Sequence, residues 1–313
     1  MTQKNMAILN IYRIMGIHGS LLRWCESYLK NRSQLIAIRG FTSKIFTVPS
    51  GVPQGSHLGP LFFLVFINDI CDNIDSKYKL FADDLKLYRT IKTTADIRTL
   101  QWDIDKIYRW CLQNNMHLNF DKCHFIKFSR KKNTFIANYT IHNNPLSEVA
   151  YIKDLGIIFD RKINFKNHFD HVISNSSKLS GFLVREMKIF KEPLVTISIY
   201  NSIIRSMLEY SSPVWNPFYQ AHSNRIEMVQ KRFLYHLCYS DNKCRTFNSY
   251  LEKLNHYRMT TLKVRRKISD LIFLYKLLHG KINSPQLLQA INISIPRPCS
   301  RLSNRKTFVL PTS

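Results

Sequence analysis

Negative charge is what this chain has least of. Its 313 residues carry 21 Asp and Glu against 46 Lys and Arg, a formal net charge of +25, and its pI lies near 9.9. A polyanion is the natural partner of such a chain. Long apolar runs are missing too. The longest, Leu61 to Ile67, falls well short of the ~20 residues that a bilayer-spanning helix needs, which argues against a membrane partner. No secretory signal pattern is visible. None of the seven cysteines, Cys25, Cys71, Cys111, Cys123, Cys238, Cys244 and Cys299, belongs to a C-x-x-C pair, so free thiols in a reducing compartment are expected rather than a disulfide framework. His236, Cys238 and Cys244 lack a fourth zinc ligand at the usual spacing. The 11 histidines contain no H-E-x-x-H, and no Ser/His/Asp arrangement can be read from spacing.

What is present is concentrated in two stretches. Tyr78, Leu80 and Ala82 alternate with Lys79 and Phe81, and Leu85 and Leu87 continue the alternation around Lys86. This period of two predicts a β-hairpin with Asp83 and Asp84 at its turn. Surface turns favour Asp, so an adjacent pair alone reads first as solvated. Upstream, however, Gly51, Pro53, Gly55 and Gly59 punctuate a loop that opens into a helical pattern of Leu58, Leu61, Phe62, Val65 and Asp69. A backbone without Cβ atoms lets a nucleic-acid chain approach closely, and paired carboxylates hold divalent cations.

Around these stretches, Leu35 to Ile38 and Ile45 to Val48 read as short strands flanking Gly40. Ile97, Leu100, Ile104, Ile107, Tyr108 and Cys111 recur at helical spacing up to Asn114-Asn115, followed by the strand-like Cys123 to Phe128 and a hairpin over Ile152 to Phe159. Beyond residue 164 the pattern turns to amphipathic helices. One stripe runs Phe165, Phe169, Val172, Ser176, Leu179, Leu183, another Leu194, Ile197, Asn201, Ile204, Leu208, and two more run Ile226 to Leu237 and Ile268, Leu271, Tyr275, Leu278. Such stripes are expected to be bundle core. Basic clusters lie at Lys127 to Lys132, Lys263 to Lys267 and Arg297 to Lys306; each is either a phosphate-neutralising patch or a solvated face.

Six blocks carry a family likeness in their order and spacing: LRWCESYLKNR from Leu22 to Arg32, SGVPQGSHLGPLFFLVFIND from Ser50 to Asp69, FADD from Phe81 to Asp84, LNFDKCHFIKFSR from Leu118 to Arg130, IKDLG from Ile152 to Gly156, and IIRSMLEYSSPVW from Ile203 to Trp215. Together they resemble the reverse transcriptase of non-LTR retrotransposons, most like the jockey-type elements of animals. The resemblance implies an α+β fold: a partial right-hand polymerase palm over residues 1–163, with helices on an antiparallel sheet, then an all-helical thumb and C-terminal extension over 164–282 and an irregular tail over 283–313. It also implies an RNA-directed DNA polymerase that transfers nucleotides with two metal ions, Mg²⁺ or Mn²⁺. Asp83 would be the direct metal ligand and Asp84 the second carboxylate, a water-mediated or orienting partner. Pro53, Gln54 and Gly55 would border the template and incoming nucleotide, Lys122 would donate a proton to pyrophosphate, and Leu155 and Gly156 would contact the primer. Asp69 is expected to be a structural hydrogen-bonding residue. The implied partners are an RNA template, a DNA primer or RNA–DNA duplex, and a dNTP in the full-length enzyme. The implied compartment is nuclear or cytoplasmic, without secretion.

In one respect the sequence departs from the family. Right-handed polymerases place a third metal-binding Asp on an earlier palm strand, in a block that here would end in Ala-Phe-Asp. Residues 1 to 49 contain no Asp and a single acid, Glu26, which sits in a helical run with Leu22, Cys25 and Leu29. The expectation is a chain truncated at its N-terminus, without fingers or the first catalytic strand and inactive alone. The alternative is a palm and thumb remnant that holds RNA or an RNA–DNA duplex without chemistry. A metal-dependent nuclease fits less well, since such sites require further acids or histidines.

Overall fold

The computed structural model describes residues 16–48, 51–53, 55–131, 135–186, 192–241 and 247–291, and in them helices and short strands form an α+β architecture. The chain divides into two compact units, Met1–Ala150 and Tyr151–Ser313. Strands of the described residues pair only two by two, and all pairs but one are antiparallel.

In the first unit, α1 (Gly19–Leu29) buries Cys25 and Leu29 against Phe62 and Phe66 of α2 (Leu58–Ile67). Between them, β1 (Arg32–Gln34) pairs with β4 (Phe46–Val48), and an inner hairpin joins β2 (Ala37–Ile38) to β3 (Phe41–Thr42). The strand expected over 45–48 forms as β4, whereas the one expected over 35–38 is broken, since β1 ends at Gln34 and pairing resumes only at Ala37–Ile38. Ile36 is diverted from the ladder because its N–H donates to Ser43 Oγ at 2.9 Å, while Arg39 and Gly40, at φ +49° and +86°, make the tight turn.

The alternation at 78–88 forms β5 (Lys77–Phe81) and β6 (Asp84–Tyr88). Its apolar face, Leu80, Leu85 and Leu87, packs on a cluster of Ile67, Ile70, Cys71, Ile107 and Cys111. Ile107 and Cys111 come from α3 (Thr94–Gln113), a helix started by a capping box of Thr93 and Asp96 and ended at Asn114. Of the strand expected over 123–128, only β7 (His124–Phe125) is paired; β8 (Thr140–Ile141) and β9 (Asn144–Pro145) form a hairpin, and β10 (Ser147–Glu148) lies parallel to β7.

The second unit begins with a hairpin, β11 (Tyr151–Asp154) and β12 (Ile157–Asp160). Helices follow: α4 (Lys166–Glu186), α5 (Pro193–Ile199), α6 (Ser206–Glu209), α7 (Ser212–Trp215), α8 (Gln220–Ser240), α9 (Tyr250–His256), α10 (Leu262–Leu278) and the short α11 (Pro285–Gln289). One core gathers Phe169, Val172 and Leu183 of α4, Ile226, Val229, Phe233 and Leu237 of α8, and Leu262 of α10. Between α5 and α6 the helix widens into a π-helical stretch, Tyr200–Arg205, in which Tyr200 stacks on Phe233 at 4.1 Å. The stripe expected to bury α10 is wrong: Ile268, Leu271, Tyr275 and Leu278 are exposed, and the buried side carries Leu262, Arg266 and Leu277. Polar anchors rotate the helix that way. Glu227 of α8 accepts the Leu262 and Lys263 N–H groups, each at 3.1 Å, and so caps its first turn.

Candidate active site

The turn between β5 and β6 consists of Ala82 and Asp83, closed by the Phe81–Asp84 pair. Ala82 sits at φ +50°, the left-handed conformation that the first position of a two-residue hairpin turn demands, at a cost of about 1–2 kcal/mol for a residue with a Cβ. Asp83 and Asp84 are both exposed. Asp84 shares the hairpin's outer face with Phe81, Lys79 and Lys86, opposite the leucines that anchor the inner face. The hairpin is tied at its base to α3 on both sides. The buried Asp103 carboxylate accepts the N–H groups of Asp75 at 3.2 Å and Ser76 at 2.8 Å, just before β5, and Lys106 lies 3.5 Å from it. Just after β6, Arg89 pairs with Asp96 at 3.3 Å. Burial opposes a charged Asp103, yet the bonds from Ser76 and Asp75, with Lys106, hold its carboxyl below the usual range. This clamp escapes sequence inspection apart from the Thr93-x-x-Asp96 capping signature.

Within the loop before α2, Gly51 and Gly55 take φ values of +86° and +79°. Ser56 Oγ donates to Pro53 O at 2.8 Å and accepts from Gly59 N at 2.9 Å. The backbone folds so closely that a Cβ on Gly59 would lie 2.5 Å from Pro53 O. Pro53 is half-buried and Gly55 exposed, whereas Gln54 lies outside the described residues. Asp69 accepts a hydrogen bond from Trp110 Nε1 at 3.1 Å, the structural use expected of it. Lys122 is exposed at the end of a 3₁₀ turn, Phe120–Lys122. Leu118, from the same block, packs on the cluster that also receives Leu80 and Leu85. That cluster shares Trp110 and Met116 with the one receiving Val52 and Leu58 of the glycine loop. The loop, hairpin and Lys122 blocks thus converge on adjoining hydrophobic clusters.

Leu155 and Gly156 belong to the second unit, as the turn between β11 and β12, at φ +44° and +87°. Tyr210 covers this turn: its hydroxyl donates to Leu155 O at 3.1 Å, and a Cβ on Gly156 would meet its ring at 3.1 Å. Trp215 Nε1 in turn donates to Tyr210 O at 2.8 Å. The motif blocks ending at Gly156 and Trp215 therefore touch, a pairing that the sequence did not show.

Residues 7–159, which include the glycine loop, the Asp hairpin and Lys122, match the family described as reverse transcriptase (RNA-dependent DNA polymerase). These residues are a reverse transcriptase domain. The chain is also similar to the RNA-directed DNA polymerase from mobile element jockey of Drosophila melanogaster, with 26% identity over 222 residues, covering 67% of this chain and 24% of that protein. The jockey polymerase of Drosophila funebris is 25% identical over 229 residues, covering 68% and 24%. The probable RNA-directed DNA polymerase from transposon X-element of Drosophila melanogaster is 26% identical over 219 residues, covering 66% and 24%. The chain thus spans about a quarter of the length of these relatives.

Reverse transcriptase domains use divalent metal ions, and the donor set here can be tested for them. Asp83 and Asp84 offer adjacent, exposed carboxylate oxygens, the hard ligands that Mg²⁺ takes one or two at a time while keeping waters and phosphate oxygens. The pair fits one such ion. Among the described residues no group of three or more His, Cys, Asp or Glu is placed to hold a metal, so a second ion has no ligand set there. The zinc combination around His236 is likewise unsupported: Cys238 is disulfide-bonded and so has no thiolate to offer, contrary to the expectation of free thiols. Cys25, Cys71, Cys111 and Cys123 are free. No helix of the described residues is long and apolar enough to cross a membrane.

Proposed function

We propose that this chain is the palm and thumb part of a jockey-like retrotransposon RNA-directed DNA polymerase, with the palm over residues 1–163 and the helical thumb and extension over 164–282. Its partners in that role are an RNA template, a DNA primer or RNA–DNA duplex, and a dNTP. The observation that carries the reading is the pair of exposed carboxylates at the tip of a hairpin clamped at its base by Asp103 and Arg89. Asp83 and Asp84 would hold Mg²⁺ or Mn²⁺, which when bound supplies charge stabilisation for the reacting phosphate. Pro53, Gln54 and Gly55 border the template and the incoming nucleotide, where a loop with few Cβ atoms permits close approach. Lys122 offers a proton to the departing pyrophosphate. Leu155 and Gly156 contact the primer.

The 313 residues alone bind nucleic acid but do not extend a primer. Nucleotidyl transfer by two ions needs carboxylates on both sides of the reacting phosphate, and residues 1–49 supply no Asp. The test is primer extension on poly-rA/oligo-dT with Mg²⁺ or Mn²⁺, beside an engineered chain in which an Asp-bearing Ala-Phe-Asp strand is fused ahead of residue 1 and beside that fusion with Asp83→Ala. Activity confined to the fusion and abolished by Asp83→Ala is the expected outcome. Robust extension by the 313 residues would overturn the assignment of the acids.

A further inference from the structure

A polar pocket in the second unit is unused by the site described above. It is a cavity of about 260 Å³ lined by Asn216, Phe218, Gln220, Ser223, Lys263 and Lys267 among others. Lys263, Arg266 and Lys267 lie at i, i+3 and i+4 on α10 and share one face. Arg266 is only 1% exposed. Its Nε donates to Asn216 Oδ1 at 3.3 Å and its Nη2 to Ser223 Oγ at 2.9 Å, so the guanidinium is fastened to two residues of the pocket wall. The third nitrogen, Nη1, is buried with no hydrogen-bond partner. Asp270 Oδ1, four positions on, is buried without a hydrogen-bond partner as well, and the Asp270 charge acts on Arg266, so Arg266 serves to brace the pocket wall.

The surroundings favour an anion. Asp270 accepts from Asn216 Nδ2 at 2.5 Å, and with Glu227 and Glu209 it already acts on Arg266, so the cations left for an incoming anion are Lys263 and Lys267 of the lining. The first amides of α10 are already taken by Glu227, so positive charge must come from side chains rather than from the helix end. Lys263 Nζ donates to Gln220 Oε1 at 2.8 Å, which holds it at the rim, and Lys267 is exposed. Phe218, on the same rim, is 94% exposed, an unusual position for a large apolar ring unless it meets a flat partner. A base beside a phosphate is such a partner.

We propose that this pocket is a phosphate subsite for a nucleic-acid strand: Lys263 and Lys267 hold the phosphate oxygens, and Phe218 is the shelf on which the neighbouring base stacks. This rests on the nucleic-acid-binding reading given above. A free phosphate would satisfy the same cations, and the ring of Phe218 is what favours a strand.

The experiment uses the whole chain and a fluorescent single-stranded RNA carrying 4-thiouridine. Anisotropy across salt is measured for wild type, for Lys263→Gln/Lys267→Gln, for Phe218→Ala, and for a control of equal charge loss, Lys166→Gln/Lys178→Gln on α4. The pocket pair should weaken binding about tenfold and flatten the salt slope by about 1 to 2, and Phe218→Ala should weaken it about tenfold with the slope kept. The control pair should do distinctly less. Photo-crosslinks should map to Phe218, and inorganic phosphate should shift the Ser223 and Lys267 amide resonances in wild type but not in the pocket variant. Equal losses for the pocket and control pairs would overturn the proposal. Shifts with phosphate but no crosslink at Phe218 would overturn the strand in favour of a small phosphate ligand. RNA binding that survives every pocket variant sinks this subsite alone, whereas a wild-type chain that binds no nucleic acid sinks the broader function as well.

Discussion

Mild acid should loosen the second unit through one buried imidazole. His168 is 2% exposed, its Nδ1 accepts the Ile158 N–H of β12 at 3.3 Å, and its Nε2 is buried without a partner. Trp215 packs against the ring at 5.1 Å. Burial, and secondarily His171, push its pKa from 6.5 down to about 4. The unfolded chain therefore binds this proton more readily than the folded one. The stability contributed by neutral His168 is complete above about pH 7 and is lost as pH falls through 6.5 toward 4. The whole window is worth about 3 kcal/mol, and the step from pH 7 to pH 5 about 2 kcal/mol, a fall in Tm of about 4–8 °C for a unit of this size. Urea melts at both pH values would measure it, with His168→Asn as the comparison, since Asn keeps an acceptor near Nδ1 and cannot titrate. The variant should start less stable yet lose about 2 kcal/mol less between the two pH values. Equal losses, or an imidazole seen by NMR to titrate near 6.5, would refute the reasoning.

Further outcomes follow from the two loops. Gly59→Ala brings a Cβ to 2.5 Å from Pro53 O, so a backbone shift costing roughly 1–3 kcal/mol is expected in thermal melts. Gly156→Ala, at φ +87° and 3.1 Å from the Tyr210 ring, should cost about 1–2 kcal/mol, and Tyr210→Phe, which removes the bond to Leu155 O, about 0.5–1 kcal/mol. Mn²⁺ should broaden resonances around Ala82–Asp84, and Asp83→Asn should abolish the broadening while leaving RNA affinity nearly unchanged; broadening that persists would put the ion elsewhere.

The sequence revealed most where one period ran unbroken. Tyr78 to Leu87 alternates cleanly and forms the hairpin, with Asp83 in the turn as expected and Asp84 one place on, as the first residue of β6 paired with Phe81. Ile97 to Cys111 did the same for α3, because Thr93 starts that helix and Asn114 ends it. Legibility failed where polar contacts across the fold decide the outcome. Ser43 displaced the strand at Ile36, Glu227 and Arg266 turned α10 away from its apolar stripe, and the π-helical stretch at Tyr200–Arg205 interrupts a stripe that read as regular helix. The candidate acids were legible. Their support, Asp103 and Arg89, was not, since an Asp in a helical pattern looks like any solvated residue until its partners across 27 or 28 positions are known.

That support makes the Asp hairpin a short lever. Asp103 and Arg89 fix its root, the leucines steady one face, and the five residues of β5 carry the carboxylates about 15 Å outward at ~3.3 Å per residue. A tilt of about 5° at the root moves the tip by roughly 1.3 Å over that length. Misplacement of about 1 Å is enough to cost an enzyme two orders of magnitude in rate. Substitutions at Asp103, distant in sequence from Asp83 and Asp84, are therefore expected to displace the two carboxylates by leverage, with a shift that grows along the strand from the root that Asp103 holds.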